Sequence, residues 1–268
     1  MQAALVTGAS RGIGRATALA LADAGFALGL VARSADALGE TQELVEALGG
    51  RAVRVAADVT DPSAVKSAVA EIEEGVGPVT VLVNNAGSLR AIGPLWEVDP
   101  DDWWLDVRTS LGGAFNLCRE VVPRMLERRE GRIVNVTSYV AVRPTPYETG
   151  YACGKAALGS LTEALAASLD GYGIRAFAVA PGFTRTEMTD HLAESAAGRR
   201  WLPEVGKGRV LEADESARLI TFLAVGGADE LNGRLLHALD DVDVLLGRLP
   251  EIRRDDLYVP RLRRLPDA

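Results

Sequence analysis

Residues 3–14 read AALVTGASRGIG, and this stretch constrains the fold more than any other part of the chain. An unbroken apolar run ends in a glycine-rich turn, and a helical pattern from about Gly12 to Ala24 follows at once. Apolar runs without polar alternation fit strands covered on both faces, and parallel sheets joined by helical crossovers are built from such strands. The alternation continues down the chain. FALGLVAR (26–33) precedes a stretch whose leucines and valine repeat at helical spacing, and AVRVAADV (52–59) precedes DPSAVKSAVAEIEEG. In the latter, Asp61 suits an N-cap, Pro62 the first helical position and Gly75 the exit. VTVLVNNAG (79–87), a helix around 100–127 and RIVNVTS (132–138) come next. A helix from about Thr149 to Leu169, IRAFAVAPG (174–182) and GRLLHAL (233–239) complete the pattern.

Strands and helices joined by short turns imply right-handed crossovers, so the expected class is α/β: a doubly wound parallel sheet with helices on both faces. Neither a Ser/Gly/Pro-rich linker nor an internal repeat divides the chain, which predicts a single domain over 1–239. Two additions are expected: an irregular helical insert at about 183–211, placed to act as a substrate lid, and a C-terminal extension over 240–268.

The turn TGASRGIG (7–14) carries the first functional signal. Glycines there let the backbone approach a pyrophosphate, and the helix N-terminus presents free amides with a partial positive charge. Gly8, Ser10, Arg11, Gly12, Ile13 and Gly14 form the cofactor-facing part of this turn. At the end of the second strand an NAD site usually places a carboxylate for the ribose hydroxyls. This chain has LVARS instead, with Arg33, Ser34 and no acid before Asp36. Arg11 and Arg33 near the adenosine ribose favour a 2′-phosphate, which the guanidinium fork recognises well. NADP(H) is the expected cofactor.

Tyr151 and Lys155 stand four residues apart in YACGK, one helical turn, and share a helix face. An ammonium so placed can lower the pKa of the phenol, whose ordinary value near 10 makes it a poor base at neutrality. Ser138 ends the fifth strand, where strand C-termini converge on a ligand crevice, and its hydroxyl can donate to a carbonyl oxygen.

Other function classes find little support. The formal net charge of −8 disfavours a duplex-binding surface. The basic-looking EIRRDDLYVPRLRRL reads as a solvated face. No signal peptide or membrane span is legible, and a cytoplasmic protein is expected. Cys118 and Cys153 read as small apolar packing residues, and His191 and His237 as ordinary surface or packing residues rather than a zinc pair.

The ordered set TGASRGIG (7–14), NNAG (84–87), Ser138, YACGK (151–155) and PGFTRT (181–186) resembles the short-chain dehydrogenase/reductase family over about residues 2–239. The resemblance implies a Rossmann-type fold and an NADP(H)-dependent oxidoreductase that interconverts a carbonyl and an alcohol. In that scheme Tyr151 is the acid/base, Lys155 holds the nicotinamide ribose and tunes Tyr151, and Ser138 binds the substrate oxygen. Asp58 and Val59 match the adenine-contacting turn, and Asn85, Ala86 and Gly87 the backbone lining the cofactor. Pro181, Gly182, Thr184 and Thr186 match the segment around the nicotinamide. A homo-oligomer is implied as well. Ser110, in TSLGGAF (109–115), stands where the family usually has an Asn that holds a proton-relay water, and Asn116 comes too late to replace it. A hydroxyl can still support such a water. That departure leaves a non-redox use of the site as one alternative, and a silent nucleotide-binding protein is another. Specificity is expected in the loops Leu89–Trp96, Tyr139–Tyr147 and Phe183–Trp201, which carry Trp96, Tyr147, Phe183, Met188 and Trp201, with Arg90 and Arg143 beside them. The C-terminal leucines and Tyr258 offer apolar anchors, for the domain's own surface or for a neighbouring subunit or pocket.

Overall fold

A computed structural model describes residues 2–262. Seven strands form one parallel sheet: β1 (Ala3–Thr7), β2 (Ala27–Ala32), β3 (Ala52–Ala56), β4 (Val79–Asn84), β5 (Gly131–Val136), β6 (Ile174–Ala180) and β7 (Leu235–His237). Their spatial order is 3-2-1-4-5-6-7, with every neighbouring pair parallel. The chain winds outward in one direction from β1 and in the other from β4. Ligands bind such sheets outside the strand C-termini, at the point where the order reverses. That point lies at the ends of β1 and β4.

The expected double burial of the strands is seen residue by residue. Ala4 and Val6 of β1 enter one core, with Ala18 and Leu21 of α1 (Gly12–Asp23) and Ile220 and Leu223 of α9 (Ala213–Ala224). Ala3 and Leu5 enter the other, with Val69 and Ile72 of α3 (Pro62–Val76) and Leu117 and Val121 of α5 (Gly113–Arg128). Alternate side chains thus serve opposite faces, which explains why the strand reads as continuously apolar. Helix α2 (Ala35–Ala47) adds Leu38 and Val45 to the first core.

Asp61 caps α3 through Ser63 and Ala64, and Pro62 opens it as expected. The exit comes two residues later than Gly75: the chain turns at Gly77, with φ +92°, while Gly75 lies inside the helix against Val53. The helix expected around 100–127 is two helices, α4 (Pro100–Val107) and α5, joined by a π-helical turn over Arg108–Gly112. β5 ends at Val136, so Ser138 lies two residues past it. The long helix α6 covers Thr149–Ser168. The insert holds α7 (Glu187–Glu194) and α8 (Ala196–Trp201), and returns through a bridge between Thr184 and Leu211.

Of the C-terminal extension, α10 (Val242–Gly247) and α11 (Leu249–Arg254) bury Leu245 and Ile252 in the first core, on the domain's own surface. Leu235 donates its backbone N–H to Tyr258 at 2.8 Å, beside the last strand. Residues 263–268, which include the end of the basic-looking cluster, lie outside the described residues. Cys118 is buried as expected, but Cys153 is exposed, because it lies on the face of α6 turned away from the sheet.

Candidate active site

The glycine turn is fixed from both sides. Gly8 and Gly12 have φ of +63° and +53°, a conformation that favours glycine. A Cβ on Gly14 would sit 2.1 Å from the Gly8 carbonyl oxygen, so the helix start packs directly on the turn. Asn85 holds this arrangement to β4: its Nδ2 donates to the Thr7 carbonyl at 2.9 Å, and Thr7 Oγ1 accepts from the amides of Asn85 and Ala86 at 3.0 and 3.1 Å. The side chain of Asn85 is therefore a brace, and Thr7, whose part in it was not read from the sequence, is its anchor. No side chain caps α1, and no acid sits in its first turn. Free amides, a partial positive charge and a glycine surface fit a dinucleotide pyrophosphate.

Arg33 is exposed just beyond β2, and Ser34 accepts from the amide of Ala37 as the N-cap of α2. Asp58 lies close enough to feel Arg33. Burial raises its carboxyl, but the amide and hydroxyl of Thr60, both at 2.8 Å, and the charge of Arg33 together bring it below its ordinary value. Val59 is buried beneath this turn, and Asn116 donates to its carbonyl at 2.9 Å. Asn116 thus braces the β3–α3 turn and does not stand in for Ser110. Arg11 is exposed and pairs with Glu187 on α7. Arg15 ties the turn to α2 through the Ser10 carbonyl at 2.6 Å and Glu40 at 2.8 Å.

Tyr151 and Lys155 come together as the spacing predicts, in the first turns of α6. Lys155 is 2% exposed, its Nζ donates to the Val136 carbonyl at 2.7 Å and lies 5.6 Å from the centre of the Tyr151 ring. A Cβ on Gly87 would lie 3.5 Å from that Nζ, which puts the NNAG backbone directly against it. Ser138 lies close enough to Tyr151 to act on its phenol, while its Oγ accepts from the amide of Val140 at 3.4 Å. The expected lowering of the phenol by Lys155 is not found. Burial pushes Tyr151 up to about 12; Ser138 pulls it down, while the charges of Glu148 and Asp106 push it further up. Burial brings Lys155 down to about 8, since a buried ammonium loses hydration that a single carbonyl does not replace.

Ser110 sits in the π-helical turn between α4 and α5, 1% exposed, and its Oγ has no hydrogen-bond partner among the described residues. Gly154 of α6 makes room for it: a Cβ there would lie 3.2 Å from that of Ser110. Two buried acids were not singled out from the sequence. Asp106 accepts from Ser88 Oγ at 2.6 Å and from the amides of Arg90 and Ala91 at 2.9 and 3.0 Å, which fixes the loop after β4. Its spacing of three from Trp103 places it on one stripe of α4, and an acid on such a stripe is the available signal. The other is Glu148, 7% exposed.

The segment after β6 closes the crevice. Gly182 has φ +72°, and a Cβ there would lie 3.2 Å from Nε2 of His237. Thr184 donates to the Pro181 carbonyl at 2.9 Å, and Thr186 caps α7 while standing against the glycine turn at Gly12. His237 meets Tyr139 edge-on at 6.4 Å, whereas His191 is exposed. Of the aromatic residues expected to line a pocket, Tyr147 and Trp201 do meet, with ring centres 4.9 Å apart, and Tyr147 accepts from the amide of Gly93 at 2.8 Å. Trp96 is 84% exposed, so it takes no part in this closure.

The sequence model for short chain dehydrogenases matches residues 2–197. A 3-oxoacyl-acyl-carrier-protein reductase of Thermotoga maritima is 36% identical over 232 residues, covering 87% of this chain and 94% of its own. A solved structure from Beutenbergia cavernae, named as an NAD(P)-dependent gluconate 5-dehydrogenase and holding NADP at low occupancy, superposes with a TM-score of 0.79 at 31% identity, over 88% of this chain and 94% of that one. An NAD+-bound xylitol dehydrogenase superposes with 0.80 at 29% identity, over 88% and 96%.

Proposed function

Since the chain belongs to the short-chain dehydrogenase/reductase family, a family of oxidoreductases, we propose that it uses NADP(H) to interconvert a ketone or aldehyde and an alcohol, with Tyr151 as acid/base. The observation that carries this reading is the cluster of Ser138, Tyr151 and Lys155 against the backbone of Gly87, at the reversal point of the sheet. The reductase and the xylitol and gluconate dehydrogenases it resembles are named for such carbonyl–alcohol pairs.

When bound, the dinucleotide supplies or takes up the hydride at the substrate carbon. The chain's residues do the rest. A phenol near 12 carries its proton throughout the neutral range, so Tyr151 is set to protonate a carbonyl oxygen in reduction. Ser138 donates to the same oxygen and stabilises the charge that grows there. Lys155 holds the nicotinamide ribose, and Ser110 supports the water through which a proton returns. Gly8, Ser10, Arg11, Gly12, Ile13 and Gly14 take the pyrophosphate. Asp58 and Val59 take the adenine, Asn85, Ala86 and Gly87 line the cofactor, and Pro181, Gly182, Thr184 and Thr186 surround the nicotinamide. Arg11, Arg33 and Ser34 meet the 2′-phosphate. Residues 183–211 act as the lid, and the described part of the C-terminal extension, 240–262, as a surface extension of the domain. The helix N-terminus, uncapped by any side chain, supports the pyrophosphate assignment. Trp104 and Phe115, each about half exposed on neighbouring helices, support a homo-oligomer. Two free cysteines support a reducing compartment, the cytoplasm. No helix of the described residues is long and apolar enough to cross a membrane.

The test is a carbonyl panel with NADPH and NADH. NADPH should be preferred, and Arg11→Ala with Arg33→Ala should erode NADPH use about tenfold or more while sparing NADH, since a guanidinium–phosphate contact is charge-assisted. A wild-type preference for NADH overturns the cofactor assignment and leaves the chemistry standing.

A further inference from the structure

Glu148 is a buried acid whose carboxyl hydrogen-bonds none of the described residues. It occupies the N-cap position of α6, where a side-chain oxygen commonly accepts a backbone amide, yet its carboxyl does not cap the helix. It is 7% exposed, and among the described residues burial is all that acts on it: neither a hydrogen bond nor a cation bears on its charge. Its carboxyl is pushed up to about 7 as a result. Neither carboxyl oxygen is wholly closed off, so each still touches solvent, and a group that displaces that water has to offer a donor in its place.

The position says where that partner comes from. Glu148 precedes Tyr151 by three residues, at the entry to the same helix, and the acid's charge is felt at the phenol. Its neighbour Tyr147 is held at φ +70°, an uncommon conformation for a bulky residue, by Gly93 and Trp201. Loop and lid thus grip the chain just before the acid.

We propose that Glu148 is a specificity residue that accepts a hydrogen bond from a hydroxyl group on the carbon next to the one that reacts, so that the substrates are hydroxyketones and their diols rather than plain ketones. This inference rests on the oxidoreductase reading of Tyr151. A hydroxyl suits the site better than an ammonium. Burial draws Lys155 down as it draws Glu148 up, so the surroundings favour neutral groups over charged ones. A hydroxyl satisfies the acid in either protonation state.

Three ketones of nearly equal shape test it: hydroxyacetone, butanone and aminoacetone, with wild type, Glu148→Gln and Glu148→Leu. Wild type should favour hydroxyacetone over butanone by about tenfold or more in kcat/KM, the worth of one hydrogen bond to a charged or buried partner. Glu148→Leu should collapse that ratio, chiefly through the KM of hydroxyacetone, and Glu148→Gln should retain part of it because its amide oxygen still accepts. An unchanged ratio in Glu148→Leu, or a wild-type preference for aminoacetone, overturns the assignment. So does a wild type that turns over other carbonyls but not hydroxyacetone. A wild type that turns over no carbonyl at all overturns the reading of Tyr151 instead. Thermal melting of both variants, and their binding of NADPH, separate lost recognition from lost folding.

Discussion

The two ends of the crevice are built on opposite principles. At the nucleotide end, around β1 and α1, the side chains that brace the turn are paired: Thr7 with Asn85 and Ala86, Asn85 with Thr7, Thr41 with the Ala9 carbonyl; the one buried hydroxyl of α1 without a partner among the described residues, Thr17 Oγ1, lies outside that brace. At the chemistry end, around α6, partners are missing. Ser110 Oγ has none, Glu148 feels only burial, Tyr151 is pushed up to about 12 and Lys155 down to about 8. Satisfied groups make a surface of fixed shape, which is what a cofactor common to many reactions requires. Unsatisfied groups hold free energy that a substrate can release, and perturbed groups gather where chemistry is done.

Exchanging one residue at each end should expose the contrast, with the largest effect at the chemistry end. Tyr151→Phe should lower kcat by a factor of about 10² to 10⁴, the usual span for a lost general acid, with little change in dinucleotide affinity. Turnover that survives would remove Tyr151 from the mechanism. Gly14→Ala should do the reverse. Its new Cβ meets backbone, the Gly8 carbonyl at 2.1 Å, and no rotamer relieves that clash. A destabilisation of about 3 kcal/mol is expected, which lowers Tm by roughly 6–12 °C in a chain of this size, together with loss of dinucleotide binding.

A smaller effect separates the two ends by pH. The Glu148 carboxyl stands near 7 in the folded chain against an ordinary 4.5. Between those values the folded chain holds a proton that the unfolded chain has released, so stability falls as pH rises through the window. Wild type should therefore lose several degrees of Tm between pH 4.5 and 7 relative to Glu148→Gln, which has no such proton to hold. The Lys155 ammonium, near 8 against an ordinary 10.5, gives the opposite slope in a separate window: the folded chain has shed a proton that the unfolded chain keeps, and stability rises from pH 8 to 10.5. Equal slopes for wild type and Glu148→Gln below pH 7 would place Glu148 in water rather than in the crevice.

How legible each end was in the sequence follows from the same contrast. The turn at residues 7–14 could be read because glycine is nearly obligatory where the backbone doubles on itself, as at Gly8, and where helix meets turn, as at Gly14. The central strands could be read because burial on both faces leaves them largely apolar, as in β1 and β2, whereas the edge strand β3 carries Arg54 and exposed positions. The π-helical turn at Arg108–Gly112 left no such mark: RTSLG is ordinary helix-compatible sequence, and the extra residue per turn is set by packing against α6 at Gly154. Asp106 and Glu148 were hidden for a different reason. Acids are abundant on helix surfaces, and only the fold shows that these two point inward. The tuning of Tyr151 was misjudged because spacing reports that Lys155 is near, whereas the pKa depends on how far water is excluded from both.

The smallest expected effect concerns Ser110, and it asks whether the chemistry end can be made to resemble the nucleotide end. Its Oγ is buried without a partner, so Ser110→Ala removes a polar atom that costs rather than contributes stability, and Tm should change by no more than the equivalent of about 1 kcal/mol, in either direction. Ser110→Asn adds donors and an acceptor beside Gly154, where a Cβ would already lie 3.2 Å from Ser110, so its stability depends on how far the π-helical turn yields. Neither variant touches the reacting atoms, and the informative readout is the pH dependence of kcat. If Ser110 supports the water that returns a proton toward Lys155 and Tyr151, Ser110→Ala should move that profile and Ser110→Asn should restore it. Identical profiles for all three proteins would make Ser110 a packing residue of the turn. The unpaired hydroxyl would then be a cost of fitting α4 and α5 around α6, and the proposal of a substrate partner at this end would rest on Glu148 alone.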